Sequence, residues 1–445
     1  MMQTRPLLIL LLLLAYLPAA TSRANPSSTK PNIVVIVADD LGWADVGYHG
    51  ALFPTPHLDA LCKQGVQLDQ HYVWPTCTPT RVALLTGRYP SRFGNYKPSN
   101  DRVLPWDTVT LARTLGEAGY ATMISGKWHL GSSPEFGPRK FGFDRSYGSL
   151  AGGCTPYSHL YKGGKKVWHR NDALIEDEGH VTDLIAKEAI DFIQEANEKP
   201  FFLYLPFTAP HDPFDEPSQY TDIVTHIDAG RRQYTASVVH MDAAIGRVID
   251  ALKESGHAEN TLIVFFSDNG GTRGEGGGNY PKPVAMSKVQ GSNLPLRGWK
   301  RDLYEGGIRV VAFAVWPGQI KPGTTMAHPI SAVDWMPTLM HIAGQKPAKQ
   351  LKLDGINILP LLTGEENQPD KRLLYGVSHT KSSYARYGDW KLIVGANGSN
   401  PQLFELSSDP YEKNNLAKEK PNIVEQLREL IRSEAEKDHD ALPGK

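Results

Sequence analysis

Cysteine is scarce in this 445-residue chain, with three residues at positions 62, 77 and 154. A disulfide-dense scaffold is therefore excluded, and no cysteine pair has the spacing of a zinc site. Cys62 and Cys154 can pair with each other or stay as buried thiols. An excess of charge of one sign is missing too. Lys and Arg number 47 against 48 Asp and Glu, a formal net charge of −1. Bulk electrostatics thus favours neither nucleic acid nor an anionic membrane surface, and any anion must be held by local placement of charge. Long apolar runs are lacking except at the N-terminus, where residues 6–17 are dominated by leucine. That run is shorter than the ~20 residues of a spanning helix. It follows Arg5 and precedes Ala19, Ala20 and Ala24, the three-part form of a secretory signal peptide, here residues 1–24. The expectation is an exported protein, secreted or periplasmic, or lysosomal if the source is an animal, with no membrane or nucleic-acid partner.

What is present is an ordinary globular composition, 40% hydrophobic and 21% charged, sufficient for a sizeable core. The β-branched run at 31–38 reads as a buried strand of the parallel kind and ends on Asp39-Asp40. Helical spacing covers 58–65, 110–119, 181–195 and 234–255, and further buried strands are predicted at 121–125, 201–205 and 261–266. The last stops at Ser267-Asp268-Asn269-Gly270-Gly271. Strands alternating with helices predict an α/β fold, a large mixed and mostly parallel sheet flanked by helices. The pattern changes after about residue 344. Short segments at 384–390, 391–394 and 402–406, with a helix at 423–436, predict a small C-terminal α+β domain with an antiparallel sheet. The expected organisation is a catalytic domain over 31–344 and a C-terminal subdomain over 345–445.

In an open α/β sheet, ligands bind outside the carboxyl ends of the strands. Two predicted strands end in hard oxygen donors, Asp39-Asp40 and Asp268-Asn269. One such pair is ordinarily a turn or a cap. Two pairs, each closing an apolar strand, point to a metal, and three carboxylates with an amide oxygen suit calcium or magnesium rather than zinc. The segment Trp74-Pro75-Thr76-Cys77-Thr78-Pro79-Thr80-Arg81 leads into an apolar helix ending near Gly87. Cys77 is expected just before that helix N-terminus, where amide donors and the dipole favour an anion. Arg81, a turn further on, would brace Cys77 or neutralise the metal site. A lone cysteine is ordinarily a small buried hydrophobe, but the polar, proline-flanked setting of Cys77 argues against that role.

Cys77-Thr78-Pro79-Thr80-Arg81 resembles the Cys-x-Pro-x-Arg motif of the type I sulfatases, members of the alkaline phosphatase superfamily. Gly126-Lys127-Trp128-His129-Leu130-Gly131 is similar to a second motif of that family. Tyr157-Ser158-His159, His240-Met241-Asp242, Leu296-Arg297-Gly298-Trp299-Lys300 and Glu305-Gly306-Gly307 resemble its arylsulfatase B-type members in particular. Leu403-Phe404-Glu405-Leu406 with Asp409-Pro410 is similar to the family's C-terminal domain. The resemblance implies an alkaline-phosphatase-like fold and a sulfuric ester hydrolase acting on a sulfated carbohydrate. A glycosaminoglycan unit such as N-acetylgalactosamine-4-sulfate and a sulfated algal polysaccharide are both in view. It implies that Cys77 is oxidised to formylglycine (3-oxoalanine) by a formylglycine-generating enzyme. The hydrated aldehyde then attacks sulfur and forms a covalent sulfo-enzyme. It further implies calcium, with magnesium an alternative, held by Asp39, Asp40, Asp268, Asn269 and residue 77. Arg81 belongs to the implied catalytic set. Lys127, His211, Lys300 and Ser158 would contact the sulfate, His211 or Lys300 would protonate the departing sugar oxygen, and His129 would take the second proton of the hydrated aldehyde. By themselves, Lys127 and Lys300 would read as solvated lysines, and His129 and His211 as residues able to move protons near neutral pH. Val311 stands where the family usually has proline, away from the implied chemistry.

The segment containing Lys162, Lys165, Lys166, His169 and Arg170 either grips a polyanionic glycan, with Trp168 stacking on a sugar ring, or is a solvated loop. Two other functions compete. One is a phosphonate or phosphate ester hydrolase of the same superfamily. The other is a non-catalytic sulfated-glycan-binding protein in which Cys77 stays a thiol, against which the full set of metal and acid–base residues argues.

Overall fold

Alternation decides how Asn32–Ala38 is buried. In a strand, successive side chains point to opposite faces. Ile33, Val35 and Val37 enter one hydrophobic core while Val34, Ile36 and Ala38 enter the other. A strand apolar on both faces needs cover on both, and so it lies in the middle of a ten-stranded sheet. The computed structural model describes residues 30–442, apart from 197–198, 275–278, 283–290, 348–350 and 366–370. The segment read as a signal peptide, 1–24, lies outside the described residues.

From one edge of the sheet to the other run Thr324–Met326, Val66–Leu68, Ala312–Val315, Thr261–Ser267, Asn32–Ala38, Phe201–Pro206, Ala121–Ser125, Arg145–Ser149, Trp168–Arg170 and Ala173–Leu174. The five strands from Thr261–Ser267 to Arg145–Ser149 are mutually parallel. Ala312–Val315 and Trp168–Arg170 flank them antiparallel. The expected mixed, mostly parallel sheet is therefore present. Helices Pro56–Gln64, Val181–Glu195 and Arg232–Glu254 cover one face, and Cys77–Thr86, Leu111–Glu117 and Trp335–Ile342 cover the other. In Arg232–Glu254 the fully buried Tyr234, Val238, Met241, Ile245, Val248 and Leu252 recur every three or four residues, the period that keeps one helix stripe on the sheet. Each such side chain stabilises the fold by about 1.5–3 kcal/mol. Gly256, with φ +73°, lies just past its end, as left-handed glycines do after helices.

The C-terminal region forms its own antiparallel sheet, Leu373–Val377, Ser383–Tyr387, Trp390–Val394 and Gln402–Glu405 in sequence order. One face (Ala385, Leu392, Leu403) packs on helix Pro421–Ala435, and the other (Tyr384, Ile393, Phe404) packs on Tyr72, Leu303 and Ile308. The first strand was not anticipated from the sequence. The strand expected over 384–390 stops at Tyr387, because Gly388, with φ +61°, turns the chain into the next strand. Among the described residues, no helix is long and apolar enough to cross a membrane. All three cysteines are buried and unpaired, so Cys62 and Cys154 do not form a disulfide.

Two readings of the sequence are corrected. Helix Cys77–Thr86 begins at Cys77 itself, with Thr76 as its cap, rather than after it. Trp168 does not stack on a sugar. It lies on a sheet strand, 2% exposed, stacked on His159 at 4.6 Å and edge-on to Tyr147 at 5.1 Å. His169 beside it is buried as well. Its neighbours Lys166 and Arg170 pair with Glu176 and Glu188 on the surface.

A buried ion network ties the C-terminal sheet to the rest. Lys391 Nζ lies 2.8 Å from both Glu305 Oε1 and Glu412 Oε1, and Glu412 Oε2 accepts the Glu305 backbone N–H at 2.7 Å. Tyr72 donates to Glu305 Oε2 at 2.7 Å, and Arg386 donates to the Tyr72 hydroxyl. Removing the one ammonium would leave two buried carboxylates facing each other. Lys391→Met should cost about 3–5 kcal/mol in urea unfolding, and the added substitutions Glu305→Gln and Glu412→Gln should recover most of that loss.

Candidate active site

Sheet register assembles the site. Ala38 is paired with Ser267 and Val37 with Pro206, so three adjacent parallel strands stop at one level and deliver Asp39-Asp40, Asp268-Asn269 and the segment to His211. The Asp268 N–H donates to the Ala38 carbonyl (2.9 Å) and the Asp39 N–H to the Ala209 carbonyl (3.0 Å). The next strand, Ala121–Ser125, runs into Gly126 and Lys127. Gly126 has φ +135°, and a Cβ there would lie 1.9 Å from the Pro206 carbonyl oxygen, so only glycine permits this close turn. Lys300 arrives from a loop whose backbone donates to the Gly271 carbonyl at 3.1 Å, while the Arg301 N–H donates to the Pro75 carbonyl at 2.7 Å. Gly270 lets this loop approach, since a Cβ there would meet the Gly306 oxygen at 1.8 Å.

The side chains form one buried cluster. Asp39, Asp40, Asp268 and Asn269 are at most 2% exposed. Each carboxylate has its own cation. Lys127 Nζ reaches Asp39, Arg81 Nη2 lies 2.7 Å from Asp268, and Lys300 Nζ lies 2.6 Å from Asp40. Arg81 also donates to the Lys127 carbonyl at 2.8 Å. Cys77 Sγ lies 3.3 Å from His129 Nδ1. His211 Nε2 stands 3.7 Å from Asp40, while its Nδ1 is held by the Asp212 carbonyl at 2.5 Å. Asp40 and His129 both hold left-handed φ values, +69° and +56°, uncommon for residues with a Cβ and concentrated at functional sites.

Protonation follows from these neighbours. Burial opposes the Asp40 carboxylate, but Lys300 and then His211 hold it well below the usual range. Asp268 is pushed up to about 6 by burial and by the charge of Asp39, although Arg81 opposes the rise. Burial, with Lys127 and Arg81 adding to it, drives His129 well below ordinary histidine, so its ring is neutral. Burial raises the Cys77 thiol. His211 is raised because Asp39 and Asp40 outweigh its burial.

The donor set fits a hard divalent cation. Asp39 Oδ1 and Asn269 Oδ1 are buried acceptors without a hydrogen-bond donor, a state costing about 1–3 kcal/mol each if left so. Ligand atoms of Asp39, Cys77 and Asp268 lie within 4.8 Å of one another, as do those of Asp39, Asp40 and His211. A separate group, His180, Asp183 and His240, does not have this character. His180 Nδ1 accepts the Thr182 N–H, which leaves the hydrogen on Nε2, and His240 already bridges Glu216 (2.8 Å) and Asp183 (3.1 Å).

Asp40, His211 and Lys300 open the cluster to a cavity of about 480 Å³, whose rim carries Lys162, Arg273 and Trp299. Cys77, Arg81, Lys127, His129, His211, Lys300 and the four oxygen donors are thus brought together. Ser158 is not. It is exposed, hydrogen-bonded to Thr155 at 2.6 Å, and does not line the cavity. Sequence reasoning missed Asp212, which orients His211, although the two are adjacent in the chain. It also missed Trp299, although that residue adjoins Lys300 in the motif Leu296-Arg297-Gly298-Trp299-Lys300, and Arg273, whose position beside the cavity has no local signal.

Residues 31–345 match the sulfatase family model, and 297–437 match the model of the N-sulphoglucosamine sulphohydrolase C-terminal region. Arylsulfatase J of Mus musculus is 31% identical over 466 residues, covering 90% of this chain and 75% of that one. N-acetylgalactosamine-6-sulfatase of Rattus norvegicus is 33% identical over 384 residues, covering 79% and 69%. The solved structure of Ps i-CgsB in complex with k-i-k-neocarrahexaose superposes with a TM-score of 0.84 at 32% identity, covering 93% of this chain and 94% of that chain. The strand-end cluster, the parallel sheet that builds it and these matches along the chain agree, and the chain belongs to the sulfatase family of sulfuric ester hydrolases, in the alkaline-phosphatase-like superfamily.

Proposed function

We propose that this sulfatase removes a sulfate ester from a saccharide. One observation carries the reading. Cys77, His129, Lys127 and the four oxygen donors share one buried cluster that opens to a cavity at Asp40, His211 and Lys300. The relative named for N-acetylgalactosamine-6-sulfate and the neighbour holding a neocarrahexaose support a sugar as the alcohol.

Asp39, Asp40, Asp268, Asn269 and residue 77 would hold calcium, with magnesium the alternative, and such an ion polarises sulfate oxygens when bound. Formylglycine at position 77, for which the Cys77 thiol stands in here, supplies a hydrated aldehyde as the nucleophile toward sulfur and requires a formylglycine-generating enzyme. This chain's own side chains do the rest. Lys127 and Lys300 set positive charge against the sulfate oxygens. His129, neutral and 3.3 Å from the Cys77 sulfur, accepts a proton from the group at position 77 through Nδ1. His211 keeps Nε2 toward Asp40 and the cavity while Asp212 orients Nδ1, and it delivers a proton to the leaving sugar oxygen. Lys300, in direct contact with Asp40, acts as a fixed charge instead. Arg81 positions Asp268 and the Lys127 backbone. The leader at residues 1–24 would carry the protein out of the cytoplasm.

The first test is peptide mass spectrometry across Cys77 after coexpression with a formylglycine-generating enzyme. A loss of about 18 Da, followed by aryl sulfate turnover faster than aryl phosphonate turnover, is expected. An unmodified thiol, or a phosphonate preference, would reject the assignment. Calcium at a hundredfold excess over Kd should stabilise the fold by about 2.7 kcal/mol in thermal melts, and Asp268→Asn should abolish that shift. His211→Ala should slow hydrolysis of a sugar sulfate by about 10²-fold or more, but act far less on 4-nitrophenyl sulfate, whose leaving group needs no proton.

A further inference from the structure

We propose that Lys162 and Arg273 form a second anion subsite at the cavity rim. The preferred substrate then carries another anionic substituent, a sulfate ester or a uronate carboxylate, besides the sulfate that is removed. The inference rests on the sulfatase function proposed above.

The argument starts from charge. At the buried end of the cavity the three carboxylates are matched one to one by Lys127, Arg81 and Lys300. Lys162 and Arg273 line the same cavity, are exposed, and pair with no carboxylate among the described residues. Asp212 and Asp302, which share the cavity lining, are engaged elsewhere. Asp212 Oδ1 faces His211 Nδ1 at 3.0 Å, and Asp302 Oδ2 accepts the Trp299 N–H at 3.0 Å.

Aromatic rings hold both cations in place. Arg273 lies over Trp299 at 5.1 Å, and Lys162 lies over Tyr280 at 5.6 Å and Tyr161 at 5.9 Å. A ring face steadies a cation without cancelling its charge. The Gly163 N–H donates to the Asn279 carbonyl at 2.6 Å, tying the Lys162 loop to the chain beyond Arg273. Other cations near Lys162 in sequence lack this availability, since Lys166 and Arg170 are ion-paired and Lys165 donates to Ser132. Arg297 also lines the cavity, but it donates to the Glu412 carbonyl and the Tyr304 hydroxyl and serves the fold. Among the described residues, uncompensated positive charge is thus concentrated where a substrate would extend from the buried site. The cavity, about 480 Å³, has room for more than one sulfate group. A guanidinium takes a sulfate or carboxylate through paired N–H donors, and an ammonium adds a point charge.

The test compares kcat/KM of the formylglycine-bearing enzyme on matched saccharides. One carries the scissile sulfate alone, a second adds another sulfate, and a third adds a uronate, with 4-nitrophenyl sulfate as the minimal ester. The wild type should favour a doubly charged saccharide by tenfold or more, mainly through KM, and the favoured partner identifies the anion. Arg273→Gln and Lys162→Gln should each reduce that preference by about tenfold, and the double variant should flatten its salt dependence. Equal kcat/KM on singly and doubly charged saccharides would overturn the subsite alone. So would variants that slow every substrate by the same factor. Failure of the wild type on every ester, 4-nitrophenyl sulfate included, would overturn the sulfatase function and the subsite with it.

Discussion

Three carboxylates, Asp39, Asp40 and Asp268, crowd one buried patch at the ends of two neighbouring strands, and the surrounding structure answers their charge. Two like charges 4 Å apart repel by about 4 kcal/mol at the effective dielectric of a protein. The fold meets this with three cations from three different segments, Lys127 after one strand, Arg81 on the first turns of a helix and Lys300 on a distant loop. Even so, Asp268 remains raised to about 6 and two acceptors stay without donors. The protein's own cations therefore match the carboxylates in number but leave open oxygen donors at the point where a divalent ion would be useful. Asp39 and Asp40 outweigh burial and raise His211, while burial, helped by Lys127 and Arg81, keeps the His129 ring neutral. One cluster thus provides a proton donor and a proton acceptor side by side.

The loop that brings Lys300 to this cluster is also held from behind. Glu305 and Glu412 converge on Lys391 of the C-terminal sheet, and Arg297 of the same loop donates to the Glu412 carbonyl. The C-terminal sheet is thereby coupled to the active-site cation, although none of its strands lines the cavity. A loop that carries a charge toward a buried carboxylate has to be rigid, because a loosely placed charge would gain less from the pairing than its desolvation costs.

Much of the sheet was legible because its strands are apolar on both faces. The run at 31–38 matches Asn32–Ala38 closely, and 121–125 and Val181–Glu195 agree residue for residue. The donors Asp39, Asp40, Asp268 and Asn269 were legible for the same reason, since the end of a buried strand is visible where its apolar run stops. Other features were hidden. Trp168, amid lysines and histidines, looks like an exposed sugar platform but is a core residue, because its short strand joins the antiparallel flank of the sheet. Leu373–Val377 is partly polar in its surroundings and became evident as a strand only through its partner Ser383–Tyr387. Arg273 carries no local pattern that marks it as lining a cavity.

The amino-acid sequence by itself determined the period of each element, the residues placed at its ends and the chemical motif around Cys77, since these depend on neighbours a few positions apart. Tertiary structure decided which ends meet. Asp40 and Asn269 are 229 positions apart and hydrogen-bonded at 2.7 Å, because the register of Ala38 against Ser267 levels two strands. It also decided which charges are left over. A cation's partner is set by what packs against it in space, so the sequence alone does not distinguish the buried, paired Lys127 and Lys391 from the exposed Lys162 and Arg273 at the cavity rim.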